Sequence, residues 1–278
     1  MELTGGQSEI VIGLIDGPVA VDHPDLKDSN IGEIPGGERG TCVQSSSAAC
    51  MHGTFVAGIL CAKRGSAAPS ICPDCTLLVR PIFSEVSVNG QLPSATPAQL
   101  AAAIAECINA GARIINMSVA LAQPSSRGER ELEESLDHAT KRGVIIIAAA
   151  GNQGTIGSSA ITRHPWVIPV VACDLQGRPM RESNLGSSAG RQGLCAPGES
   201  ITSLGVNGQS LVSAGTSIAA PFVTGAVALL WSEFPAATAA QIKLAVTQSF
   251  GGRRATVVPP LLNAWAAFQA IRGSGAKR

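Results

Sequence analysis

The sequence predicts an α/β fold in which helices cover both faces of a mostly parallel central sheet, in three layers. Apolar runs rich in β-branched residues alternate with segments of helical spacing, an order typical of parallel sheets with crossover helices. The runs contain few polar residues, as expected of strands that are buried on both faces. A chain of 278 residues fits one α/β domain, which we predict over residues 1–272, with a frayed tail over 273–278.

The apolar runs place the strands. The first covers residues 9–15 and ends at the turn signal Asp16-Gly17-Pro18. Residues 30–50 are rich in Gly, Ser and Cys, which favours a surface excursion. Further strands are predicted over residues 76–83, 113–119, 144–150 and 166–172, and a hairpin over 200–213 with Asn207-Gly208 at its turn.

Helical spacing and small residues place the helices. Several small residues follow His52 and allow close helix packing, so we expect His52 in the first turn of a helix. Gly215 permits a sharp turn that leads into a second buried helix, with Ser217 in its first turn. Other helices are predicted over residues 97–110, 129–142, 238–250 and 260–271, the second of them amphipathic.

Composition excludes several classes of partner. The chain has 20 basic and 20 acidic residues, six Phe, three Trp and no Tyr, so neither a polyanion-binding surface nor a base-stacking surface is expected. No apolar run reaches the length of about 18 to 20 residues that spans a bilayer, and the N-terminus lacks the pattern of a secretory signal. We therefore expect no nucleic-acid or membrane partner and a cytoplasmic location.

The eight cysteines do not form the dense pattern of a disulfide scaffold. Without an export signal, reduced thiols are the expected state. Cys72 and Cys75 have C-x-x-C spacing, for which a local disulfide or half of a zinc site are the alternatives to free thiols. A second pair of Cys or His at ligand spacing is missing, so we predict no metal site there.

Four polar residues stand at strand ends or helix starts, namely Asp16, His52, Asn152 and Ser217. Taken singly, they are explained by a turn aspartate, a structural histidine, a loop amide and a helix-capping serine. Together they match the needs of nucleophilic catalysis. A serine hydroxyl requires a base, a histidine base requires an orienting carboxylate, and an amide can stabilise the oxyanion of the intermediate.

The segments around these four residues resemble the subtilisin family of serine proteases. They are Leu14-Ile15-Asp16-Gly17, His52-Gly53-Thr54-Phe55-Val56-Ala57-Gly58-Ile59, Ile115-Asn116-Met117-Ser118, Ala148-Ala149-Ala150-Gly151-Asn152 and Gly215-Thr216-Ser217-Ile218-Ala219-Ala220-Pro221. The resemblance implies that Asp16, His52 and Ser217 form a catalytic triad. It implies further that Asn152 and the Ser217 N–H form the oxyanion hole.

The resemblance also implies a substrate site. The segment Ser118-Val119-Ala120 would pair with the substrate backbone as an added strand. The segment Ala149-Ala150-Gly151 would line the pocket for the residue before the cut, with room for a sizeable apolar side chain. The family usually has Gly at the position of Ala120, whose extra methyl group narrows that pocket.

Other departures from the family pattern concern the flanks of the site. Gly17-Pro18 follows Asp16 where Thr or Ser and then Gly are usual. Because only fifteen residues precede Asp16, we expect no folding pro-segment of the kind that secreted subtilisins have. Asp25 matches a family aspartate that often binds calcium. The loop over residues 62–70 is poor in Asp and Asn, whereas calcium takes six to eight oxygen ligands. We therefore expect no cofactor, with calcium as the alternative.

Four further segments resemble one branch of the family, the proteases that remove the leader from cyanobactin-type precursor peptides. They are Asp16-Gly17-Pro18-Val19, Ile71-Cys72-Pro73-Asp74-Cys75, Ala110-Gly111-Ala112-Arg113-Ile114-Ile115-Asn116 and Leu194-Cys195-Ala196-Pro197-Gly198. A sister enzyme cyclises peptides and carries a long helical insertion between its Asp and His. Here His52 follows Asp16 by only 36 positions, which favours hydrolysis.

We thus predict a serine endopeptidase that acts on a precursor peptide. The alternatives are a general intracellular protease, a peptide macrocyclase and a catalytically silent binding protein. The oligomeric state stays open.

Overall fold

The computed structural model describes residues 3–35, 39–85, 95–120, 129–248 and 256–275. Seven strands of this part of the chain form one sheet in the order β2-β3-β1-β4-β5-β6-β7, and every neighbouring pair is parallel. The strands are β1 Val11–Asp16, β2 Ile31–Glu33, β3 Thr76–Pro81, β4 Ile114–Met117, β5 Ile145–Ala149, β6 Val167–Cys173 and β7 Leu194–Pro197. The predicted fold class is confirmed.

Helices cover both faces of this sheet. Their bounds are α1 Ala48–Cys61, α2 Pro97–Asn109, α3 Arg130–Arg142, α4 Ala160–Arg163, α5 Ser187–Gln192, α6 Thr216–Glu233, α7 Ala239–Gln248 and α8 Ala264–Gly273. One large core cluster joins the sheet to α1, α6, α7 and α8, and a second joins it to α2 and α3. The chain therefore has the three predicted layers.

A small antiparallel hairpin lies apart from the main sheet. Its strands are β8 Ile201–Leu204 and β9 Ser210–Ser213. Asn207 has a positive φ of 67° in the turn between them, a conformation that Asn tolerates better than most residues. The hairpin predicted at Asn207-Gly208 is confirmed.

Several predicted boundaries are wrong. The segment predicted as a surface excursion contains the edge strand β2 and the first turn of α1. That helix begins four residues before His52, because the Ser47 hydroxyl caps it by accepting a hydrogen bond from the Cys50 N–H at 3.3 Å. The last helix begins at Ala264 behind the cap Asn263 and includes Gly273, so the predicted tail starts too early. The predicted positions 249–250 and 276–278 lie outside the described residues.

The expectation that all cysteines are reduced is also wrong. Cys42 and Cys50 form a disulfide that ties the segment before α1 to the start of this helix. The described cysteines outside this pair, Cys72 and Cys75 among them, are free and buried. For those two the favoured prediction of free thiols holds.

Parallel pairing fixes where functional groups can meet. The carboxyl ends of parallel strands share one edge of a sheet, and the loops at that edge collect functional side chains. Asp16 ends β1, Ser118 follows β4, and the segment that leads to Asn152 follows β5. Because β1, β4 and β5 are neighbours in the sheet order, these residues lie side by side.

Candidate active site

Ser217 owes its position to the turn before α6. Gly215 has φ 131°, in the region that favours glycine. Its carbonyl accepts the N–H groups of Ile218 and Ala219, each at 3.1 Å. The turn thereby delivers Ser217 as the second residue of α6, where backbone N–H groups have no partner inside the helix. Such a position favours developing negative charge.

His52 reaches Asp16 because α1 packs directly on the loop after β1. A Cβ atom on Gly17 would lie 2.1 Å from the Ala49 carbonyl oxygen, and one on Gly53 would lie 2.4 Å from the Pro18 carbonyl oxygen. Both distances are far inside van der Waals contact, so only glycine fits at either place. This contact explains why Gly17 replaces the larger residue that the family usually has after the aspartate.

The three side chains form one hydrogen-bonded array. His52 Nδ1 lies 2.7 Å from Asp16 Oδ1, and His52 Nε2 lies 2.9 Å from Ser217 Oγ. The carboxylate accepts only, so Nδ1 carries the proton and Nε2 of the neutral ring accepts from the serine. The Gly17 N–H also donates to Asp16 Oδ1, at 2.6 Å. Within the described residues, Asp16 Oδ2 has no hydrogen-bond partner.

The charge of Asp16 sets the protonation of His52. Asp16 is fully buried, whereas the His52 side chain is 32% exposed. Burial lowers the pKa of His52, but the charge and the hydrogen bond of Asp16 outweigh it, so that the pKa of His52 is raised overall. The imidazolium is therefore stabilised, as a histidine that takes up a proton during a reaction requires.

The Asn152 amide is held through its oxygen, and no hydrogen bond of its nitrogen is found among the described residues. Its Oδ1 accepts the Thr216 N–H at 2.9 Å, and the Thr216 hydroxyl accepts the Gly151 N–H at 3.1 Å. Because the oxygen of the amide is occupied, its nitrogen is the group available as a donor beside the start of α6. Asn152 itself is exposed, so the nitrogen is open to a ligand.

A cavity of about 370 Å³ opens beside these groups. The predicted residues Ser118, Val119, Ala120, Ala149 and Gly151 line it. Ala150 is absent from the lining, which contradicts its predicted place there. Its side chain belongs to the apolar cluster behind the cavity, because successive residues of an extended segment point to opposite sides.

Sequence reasoning missed five further residues that line the cavity, Ala48, Ala49, Phe83, Gln153 and Thr216. Ala48 and Ala49 belong to the first turn of α1, in the segment predicted as a loop. Among the described residues that line the cavity, only His52 carries an ionisable side chain. This part of the lining offers a bound partner no charge other than that of His52.

Comparison with known proteins now identifies the family. A model of the subtilase family (Peptidase_S8) matches residues 7–260. The chain belongs to the subtilase family. Subtilisin amylosacchariticus of Bacillus subtilis subsp. amylosacchariticus is 30% identical over 266 residues, which are 94% of this chain and 66% of that relative. The chain thus spans about two thirds of the length of that curated relative.

Solved structures give the same result for the fold. The protease domain of PatA has a TM-score of 0.90 at 30% identity, with 100% of both chains covered. The prenylagaramide maturation protease PagA has a TM-score of 0.83 at 28% identity, with 97% of this chain and 96% of that chain covered. The PatG macrocyclase in complex with peptide shares the fold at 20% identity, with a TM-score of 0.84, covering 98% of this chain and 94% of that one.

The neighbourhood of Asp25 in this subtilase does not fit the calcium ion that the family resemblance implies. The Lys63 ammonium donates to the Pro24 carbonyl oxygen at 3.0 Å and pairs with Asp28 at 2.9 Å. The Asp25 carbonyl oxygen already accepts the Lys63 N–H. A positive charge thus already occupies two of the oxygen atoms next to Asp25, whereas calcium needs six to eight oxygen ligands.

Among the helices of the described residues, none combines the length and the apolar character that a membrane crossing requires.

Proposed function

We propose that this subtilase is a serine endopeptidase with Ser217 as its nucleophile. The observation that carries the proposal is the array in which His52 bridges Asp16 and Ser217 at 2.7 and 2.9 Å beside an open cavity. Ser217 Oγ attacks the carbonyl carbon of a peptide bond while His52 Nε2 takes its proton. Asp16 holds the ring and stabilises the imidazolium.

Charge that develops on the substrate oxygen meets two donors. These are Asn152 Nδ2, whose amide binds the first residue of α6 through its oxygen, and the Ser217 N–H in the first turn of that helix. Collapse of the intermediate breaks the C–N bond, and His52 gives its proton to the departing amine. Water then attacks the acyl-enzyme with His52 again as base, which releases the acid and restores Ser217.

We also propose that the natural substrate is a precursor peptide from which this subtilase removes the leader. PatA and PagA support this proposal, since they are 30% and 28% identical to the chain and PagA is described as a maturation protease. The cavity supports it too, because the described part of its lining carries no charge other than that of His52 and suits uncharged residues before the cut. Ribosomal precursors are made in the cytoplasm, where we propose that the enzyme acts.

A fluorophosphonate probe tests the chemistry. We expect the probe to label the wild-type chain at Ser217, and we expect no labelling of Ser217→Ala, since phosphonylation requires an activated serine. The matched control is Ser135→Ala, which removes a buried serine on α3 that donates to the Leu132 carbonyl at 2.8 Å. Labelling that persists in Ser217→Ala would refute the proposed nucleophile, and a wild type without labelling would favour a silent binding protein.

A competition between substrates tests the specificity. The wild-type enzyme is incubated with a leader–core precursor peptide and with casein, and the products are identified by mass spectrometry. We expect one cut between leader and core and little cleavage of casein. Cleavage of casein at many sites without preference in the precursor would indicate a general protease. A circular product would indicate a macrocyclase.

A further inference from the structure

The helix that carries Ser217 contains a proline one turn further along, at Pro221. In an α-helix, the N–H of residue i+4 donates to the carbonyl of residue i. Pro221 has no N–H, so the Ser217 carbonyl lacks the donor that the helix would otherwise supply. The nucleophile therefore stands on a turn whose own backbone acceptor needs a partner from outside α6.

Ser118 supplies that partner. Its hydroxyl donates to the Ser217 carbonyl oxygen at 2.9 Å, across 99 positions of sequence. The Ser118 side chain follows β4 and is nearly inaccessible, with 5% of the residue exposed. A hydroxyl group of the strand edge thus fills the place of a backbone N–H of α6.

The direction of each hydrogen bond behind Ser118 follows from this contact. A carbonyl can only accept, so Ser118 donates to it and must itself accept from Asn116 Nδ2, at 2.8 Å. The oxygen of the Asn116 amide then faces Thr224, whose hydroxyl donates to it at 2.7 Å. Asn116 and Thr224 are fully buried. This series of hydrogen bonds runs from the Ser217 carbonyl to the Thr224 hydroxyl, so both of its ends lie on α6. It fixes the rotation of the Ser118 hydroxyl.

We propose that Ser118 is a positioning residue for the nucleophile, an inference that rests on the proposed function. Through its hydroxyl it holds the first turn of α6 at a fixed height above the end of β4. The segment that begins at Ser118 also lines the cavity where a peptide would bind. The hydroxyl of Ser118 therefore sets the distance between Ser217 Oγ and the carbonyl carbon that it attacks.

The first test removes the hydroxyl alone. Ser118→Ala is compared with the wild type and with Ser135→Ala, which also loses a buried hydroxyl bound to a backbone carbonyl, but on α3. We expect Ser118→Ala to react with a fluorophosphonate about 10- to 100-fold more slowly, because small displacements of a reacting group cost rate steeply. For p-nitrophenyl acetate, we expect kcat to fall and KM to stay within about twofold. Ser135→Ala should react like the wild type.

The pH dependence of the labelling rate distinguishes a loss of positioning of Ser217 from a change in the protonation of His52. Among the described residues, no hydrogen bond joins Ser118 to His52 or Asp16, so the pH of half-maximal labelling should be the same in Ser118→Ala and in the wild type. Rates are compared at a temperature at which thermal melts show every variant to be fully folded. A labelling rate of Ser118→Ala equal to that of the wild type would overturn the inference, and so would a displaced pH profile.

The second test returns a donor to the helix. Pro221→Ala introduces a backbone N–H that can reach the Ser217 carbonyl, so the hydroxyl of Ser118 should become dispensable. We expect Ser118→Ala to reduce the labelling rate much less in the Pro221→Ala background than in the wild-type background. An equal factor in both backgrounds would show that Ser118 acts by another route. In either case, labelling of the wild type at Ser217 tests the proposed function separately.

Discussion

Among the glycines near the candidate triad, Gly17 leaves the least space for a side chain, and Gly17→Ala tests the importance of its contact with α1. The new Cβ would lie 2.1 Å from the Ala49 carbonyl oxygen and 2.6 Å from its carbon. An ordinary contact of a Cβ atom begins at about 3.4 Å, so the loop and the helix must separate by about 1.3 Å. The backbone of Gly17 is not in the left-handed region, so its conformation would accept alanine. Only the contact with Ala49 therefore opposes a side chain at this position.

Separation on this scale moves His52 away from its partners. His52 lies on α1 one turn after Ala49, and its 2.7 Å hydrogen bond joins it to Asp16, the residue next to Gly17. A displacement of about 1 Å at reacting groups can cost about 10²-fold in rate, and overpacking of a tight contact destabilises a fold by about 1–3 kcal/mol. We expect Gly17→Ala to show both losses.

The assay combines fluorophosphonate labelling with thermal melts. Gly273→Ala is the matched control, because the same substitution at the end of α8 meets nothing within 4 Å. We expect Gly17→Ala to be labelled about 10²-fold more slowly than Gly273→Ala. A labelling rate and a melting temperature equal to those of the control would refute the reasoning, since the loop would then have absorbed the methyl group without moving α1.

Three other predictions concern the charge, the oxyanion donor and the disulfide. Asp16→Asn removes the charge that raises the pKa of His52, so the neutral base forms at lower pH. The midpoint pH of the labelling profile should fall, and the maximal labelling rate should fall about 10⁴-fold. A midpoint equal to that of the wild type would contradict this prediction. Asn152→Ala should lower kcat by about 10²–10³ with little change in KM, the range for one oxyanion donor in such proteases; an unchanged kcat would remove Asn152 from the site. Reduction of Cys42–Cys50, whose partners are eight positions apart, should lower the free energy of unfolding by about 2.5 kcal/mol. Urea unfolding with and without a reductant measures this decrease in the free energy of unfolding. Coincident unfolding curves would show that the disulfide does not stabilise the fold.

The main strands could be predicted from sequence because burial on both faces leaves a continuous apolar run. β2 contains Gly32, and β7 has no β-branched residue and ends in Pro197, so neither forms the β-branched run that marks the other strands. The start of α1 could not be predicted from the sequence for another reason. Ser47 follows two other serines in a Gly- and Ser-rich segment. Only the hydrogen bond that its hydroxyl accepts from the Cys50 N–H marks it as the cap.

The candidate site was predictable in part because Asp16 ends β1 and Ser217 stands in the first turn of α6. His52 lies one turn inside α1 instead of at its start, and it was found because its partners in a triad were present. The structure brings the three side chains into one array. The cavity walls depend on which way neighbouring side chains point. Ala150 follows Ala149 directly but packs behind the cavity, whereas Phe83 reaches it from the end of β3. The orientation of Ala150 follows from the alternation of side chains along an extended segment and could have been predicted, whereas the place of Phe83 depends on tertiary packing, for which the sequence carries no local signal.

The structure supports the two ends of the array by different means. On the side of the base, the absence of a side chain at Gly17 lets the backbone of the loop contact the backbone of α1 at Ala49. The position of His52 on α1 follows from this steric contact. On the side of the nucleophile, a hydrogen bond from Ser118 replaces the donor that Pro221 withholds. The glycine is visible in the sequence as a departure from the family pattern. The role of Ser118 is not, because the same residue already has an evident place in the substrate-binding segment, and only the carbonyl left open by Pro221 reveals what its side chain does.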